Sequence, residues 1–92
     1  MQRFIIERAI PGASKISADE MAAISAKSLG VLRELGPDVQ WVESFVTADK
    51  LYCVYLAKNV ELVREHARRG GFPADAVNVV TRMIDPTTAA SR

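Results

Sequence analysis

The chain has almost none of the side chains from which metal and redox centres are usually assembled. Among 92 residues there is one cysteine, Cys53, and one histidine, His66. A lone cysteine excludes an intrachain disulfide and every paired-thiol motif. A charge excess of either sign is also missing. Twelve Lys and Arg face eleven Asp and Glu, a net charge of +1, which argues against a nucleic-acid partner. No run of about 18 apolar residues exists to form a membrane-spanning helix. The apolar stretch in the opening MQRFIIERAIPG is too short for a secretory leader. A cytoplasmic protein without a membrane partner is expected. The nucleophile-elbow pattern GxSxG and the phosphate-binding patterns GxGxxG and GxxxxGK[ST] are absent. The Gly70-Gly71 pair follows a helix instead of opening one, so it is no phosphate loop.

What is present reads as one domain over residues 1–92, with an ordered core of about 2–86 and a loose tail at 87–92. Gln2–Arg8 is β-branched and aromatic, and Pro11-Gly12 stops it. Ser17 with Glu20 three residues on is a capping box for a first helix. Its apolar positions are Met21, Ile24, Leu32 and Leu35, with Ser28 on the same face, and Gly36-Pro37 ends it. Gly30 inside that helix suggests a close approach by another backbone. Val39–Thr47 and Leu51–Ala57 form a hairpin around Ala48-Asp49-Lys50. A second helix, Val60–Arg69, starts at or just before Asn59, and Ala76–Ile84 is a fourth strand. The order β-α-β-β-α-β predicts a ferredoxin-like α+β fold, in which two helices cover one face of a four-stranded antiparallel sheet.

Both faces of the middle strands are rich in apolar residues, and only one can lie under the helices. The other predicts a homodimer, since a soluble monomer rarely exposes so large an apolar face. Strand alternation groups Trp41, Glu43 and Phe45 on one side of the second strand, and Cys53 and Tyr55 on one side of the third. The face with Trp41, Glu43, Cys53 and Tyr55 carries more polar groups and is assigned outward, together with Ile5 and Glu7 of the first strand.

The segments FIIER (Phe4–Arg8), VQWV (Val39–Val42), YCVYLA (Tyr52–Ala57), REHARRGGFPADAV (Arg64–Val77) and IDPTT (Ile84–Thr88) resemble the small bacterial family catalogued as domain of unknown function 4242. One branch of that family is described as nickel-binding. The resemblance implies a ferredoxin-like fold, commonly dimeric, and metal-ion binding in some members. Histidines near the end of the first strand in that branch are replaced here by Glu7-Arg8-Ala9-Ile10. Only His66 carries over from the helix motif, with Cys53 at a cysteine position of the third strand.

Two functional readings follow, and a plain interaction module is a third. In the first, a divalent transition metal such as nickel is held by His66 with Glu7, Glu43 or Cys53; imidazole binds first-row metals and titrates near neutrality. In the second, a cofactor-independent enzyme or organic-ligand binder has a pocket on the dimer-facing sheet surface, lined by Trp41, Glu43 and Tyr55. Paired carboxylates at Glu7 and Glu43 would suit acid–base work or cation binding. Each group also has an ordinary role open to it: local hydrogen bonding for His66, surface ion pairs for the glutamates, cross-strand packing for the aromatics. Arg64, Arg68 and Arg69 read as a solvated helix face that complements the helix dipole.

Overall fold

A computed structural model describes residues 1–90; residues 91 and 92, the end of the expected tail, lie outside the described residues. Its elements are β1 (Gln2–Ala9), α1 (Ala18–Leu35), β2 (Val39–Val46), β3 (Lys50–Ala57), α2 (Val60–Gly70) and β4 (Ala76–Val80). Short 3-10 turns occupy Ala13–Lys15 and Pro86–Ala90. The antiparallel sheet has the order β2-β3-β1-β4 and both helices lie on one face, the expected ferredoxin-like α+β arrangement.

The helix ends follow the chemistry of their caps. Ser17 Oγ accepts the Glu20 amide at 3.1 Å. The Glu20 carboxylate takes the Ser17 hydroxyl at 3.1 Å in place of the Ser17 amide, so half of the capping box forms. Asn59 caps α2 by accepting the Leu62 amide at 3.1 Å. Gly71 closes α2 in the left-handed region, at φ 70°.

The close approach expected at Gly30 is absent, because a Cβ there would meet nothing within 4 Å. It occurs at Gly70, where a Cβ would lie 2.2 Å from the Phe72 ring. The chain doubles back after α2 so tightly that Phe72 packs over the helix's last residue.

Strand faces differ from expectation in an instructive way. Phe4 pairs with Tyr55 and Ile6 with Cys53, and all four are buried beneath the helices. Cys53 and Tyr55 therefore face inward, contrary to the outward assignment. Ile5 and Glu7 do face outward, opposite Val54 and Tyr52. In β2 a bulge falls between Trp41 and Glu43: Trp41 pairs with Tyr55, Glu43 with Val54 and Ser44 with Cys53. Val42 is the extra residue, and it inverts the alternation. Trp41 and Ser44 point toward the helices, whereas Glu43 and Phe45 point away. The fourth strand stops at Val80, four residues short of the expected Ile84. Val80 is opposite Arg3, close to where β1 begins, so the chain runs out of partner.

Candidate ligand cavity

The inner positions of β1 are Phe4, Ile6 and Arg8, so the strand period alone delivers Arg8 to the interior. It is only 4% exposed. Its Nε donates to Cys53 Sγ at 3.4 Å and its Nη1 to the Pro73 carbonyl at 2.5 Å. Buried Nη2 has no partner. The guanidinium lies 5.6 Å from the Phe72 ring centre and 6.0 Å from that of Tyr55, within range of cation–π attraction. Among the described residues no carboxylate forms an ion pair with it.

Behind Tyr55 sits His66, fully buried on α2 beside Val63 and Ala67. Its ring centre is 5.1 Å from Tyr55 and 5.5 Å from Phe72. Nε2 and Ser28 Oγ of α1 are 2.9 Å apart, while Nδ1 has no partner. A bare lone pair is cheaper to bury than a bare N–H, which assigns the proton to Nε2, donating to Ser28. Burial, then the charge of Arg8, drive the imidazole pKa down to about 4, opposed by hydrogen bonding to the Ser28 backbone. His66 is thus neutral at physiological pH. Burial likewise pushes the Tyr55 phenol up, opposed by Arg8 and by hydrogen bonding with Ser28 and Arg8.

Between α1 and the sheet lies a cavity of about 230 Å³ that is not sealed from solvent. Met21, Ile24, Trp41 and Phe72 supply much of its apolar wall. Arg8, Ser25, Ser28, Ser44, Cys53 and Tyr55 supply the polar groups. Trp41 Nε1 donates to Ser44 Oγ at 2.9 Å, which fixes the indole against the wall. Among the described residues no aspartate or glutamate lines the space.

The residues singled out from the sequence are thereby divided. Trp41, Tyr55 and Cys53 meet in the cavity wall, on the helix side of the sheet instead of the dimer-facing side. Glu43 is on the opposite face. Glu7 is there too, 3.4 Å from Lys50 Nζ. His66 lies one residue layer behind the cavity. The basic stripe on α2 is occupied internally: Arg68 and Arg69 both bond Glu65, at 2.5 and 2.7 Å, and Arg69 reaches Glu34 of α1 at 3.6 Å. These bonds hold the Glu65 carboxyl at a pKa of about 2. Arg8, Ser28, Ser44 and Phe72 were not singled out. The signal for Arg8 was its parity with Phe4 and Ile6, and for Ser28 its place on the apolar face of the first helix; Ser44 and Phe72 depended on the bulge and on the fold of the α2–β4 loop.

The donor set does not fit a resident nickel ion. The sheet separates Glu7 and Glu43 from His66 and Cys53. His66 uses Nε2 on Ser28 and is walled in by rings, and Cys53 is in contact with a cation. Among the described residues no three of His, Cys, Asp and Glu cluster as ligands would.

No curated protein matches the chain. A crystal structure titled as that of SCO4226 from Streptomyces coelicolor A3(2) is similar to it at a TM-score of 0.75 and 19% identity, over 89% of this chain and 99% of that one. At that identity the likeness establishes the fold. The family model described as "Nickel responsive protein SCO4226-like" matches residues 4–80. Its description differs from the domain of unknown function 4242 and itself names nickel. By that match over most of its length, the chain belongs to the SCO4226-like family of nickel-responsive proteins.

Proposed function

We propose that this protein binds a small organic molecule in the cavity between α1 and the sheet. The observation that carries the reading is the cavity itself, with its aromatic and apolar wall around a few polar groups. A dry apolar cavity of about 150 Å³ suffices for benzene, so about 230 Å³ suits a substituted single ring or a short branched chain. Binding sites combine such a wall with a few placed polar groups, here one guanidinium and several hydroxyls. Titration with benzyl alcohol, followed by Trp41 fluorescence, tests the reading. Saturable quenching is expected in the wild type, lost in a folded Ser25→Phe variant that fills the space. No saturation in the wild type would refute it.

A second reading is favoured by the family description: binding of a divalent transition metal, nickel first. His66 would be a ligand with Cys53 on the same side of the sheet, and this requires His66 to leave its present contacts; the expected partners Glu7 and Glu43 lie on the opposite face. Calorimetric titration of untagged protein with nickel, zinc, copper and cobalt, beside His66→Ala, decides it. Micromolar binding lost in the variant would support a metal site; no binding to any metal removes it. Under either reading two copies pair through the uncovered sheet face.

A further inference from the structure

We infer that the cavity takes an organic monoanion, a carboxylate, with Arg8 as the residue that recognises its charge. The inference rests on the cavity being a ligand site and adds the chemical class of the ligand. A guanidinium cannot shed its proton in a protein, and burying a charge without a counter-charge costs several kcal/mol. Arg8 is buried, yet its acceptors, a sulfur, a backbone carbonyl and the Tyr55 phenol, carry no countercharge, and Nη2 has no partner among the described residues. The Phe72 and Tyr55 rings offset that charge only in part, and among the described residues no carboxylate pairs with it. His66 is neutral, and the Ser25 and Ser44 hydroxyls on the wall can donate to an incoming oxygen. The wall is a set of donors around one cation with no acid to satisfy them.

The same set disfavours a cation, which would meet Arg8 across a medium of low dielectric. It selects one negative charge over two, because one guanidinium compensates one charge. The remaining wall is apolar, so the anion is the head of a molecule whose body contacts Trp41, Met21, Ile24 and Phe72. Such a ligand would offset the burial of Arg8, and the protein should be more stable with it than without.

Calorimetric titration with matched pairs tests this: benzoate and benzamide, phenylacetate and phenylacetamide, 3-phenylpropanoate and its amide, each to millimolar concentration. Each pair shares a skeleton and differs in charge. The carboxylates are expected to bind roughly tenfold or more tightly than the amides, with the preference lost in Arg8→Met and partly kept in Arg8→Lys. Equal binding within each pair would overturn the anion assignment and leave the cavity reading standing. A preference that survives in folded Arg8→Met would remove Arg8 from the role. Binding by neither class would overturn the cavity reading as well. The wild-type comparison needs no variant to fold, and thermal shifts with each pair read the same preference independently.

Discussion

His66 shows how much one contact can weigh when it is buried. Its pKa falls from 6.5 to about 4, so between those values the unfolded chain binds a proton that the folded one refuses. Stability is therefore fully present above pH 6.5 and is lost as pH falls toward 4. At pH 5 the loss relative to pH 7.5 is expected to be about 2 kcal/mol. Urea denaturation of the wild type and of a Ser28→Ala/His66→Phe double variant at the two pH values checks it. The double variant removes both hydrogen-bonding partners together and should lose most of the dependence in this window. Equal pH dependence in both proteins would mean that other groups carry it. Carboxylates held low, such as Glu65 at a pKa of about 2, lose their contribution only at much lower pH.

Among the elements, the end of α2 is the tightest constraint. Alanine is normally better than glycine in a helix by about 1 kcal/mol. At Gly70 the sign should reverse, because the added methyl would sit 2.2 Å from the Phe72 ring and force it off His66 and Arg8. Gly70→Ala is expected to cost about 1–3 kcal/mol by overpacking, measurable by chemical denaturation; a gain would show that Phe72 swings away freely. The helices and most strand limits were legible because their periods and caps are local: Ser17, Asn59 and Gly71 act on amides or backbone within a few residues. Which sheet face is covered was not legible. The rule that polar admixture marks the outside fails when a polar group lines a cavity, and Arg8, Ser44 and Tyr55 are inside for that reason. The bulge at Val42 also lies beyond alternation, since nothing in VQWVESFV shows which residue will be left unpaired. So the candidate site was half legible: Trp41, Tyr55 and Cys53 come together as wall, but with Arg8 in place of Glu43.

As a whole the molecule is longer than its size requires. It measures 45 × 30 × 20 Å with a radius of gyration of 14.4 Å, against about 12 Å for a compact chain of this length. Beyond β4 the chain carries Met83 and Ile84 at 66% and 67% exposure. The uncovered sheet face adds Phe45 at 54% and Ile5 at 37%. Exposed apolar groups so placed are what an interface between two copies would cover. Sedimentation equilibrium is expected to give twice the 10.1 kDa chain mass, falling to the monomer in an Ile5→Lys/Phe45→Lys variant that keeps its helical circular dichroism. A wild type that sediments as a monomer would refute pairing through this face. Because the cavity is on the other side of the sheet, ligand binding should survive the loss of the dimer.

The bulge at Val42 gives β2 two reading frames that meet at one residue. Deleting Val42 would merge them and leave Glu43 opposite Val54 and Ser44 opposite Cys53, as they are now. Straightening the strand without deleting anything would bring Glu43 opposite Cys53 instead, and a carboxylate would enter the wall beside Arg8. The charge of the chamber is thus written in the register of one strand. A change that removed the bulge while keeping its residue would alter which molecules are admitted more abruptly than an exchange of side chains.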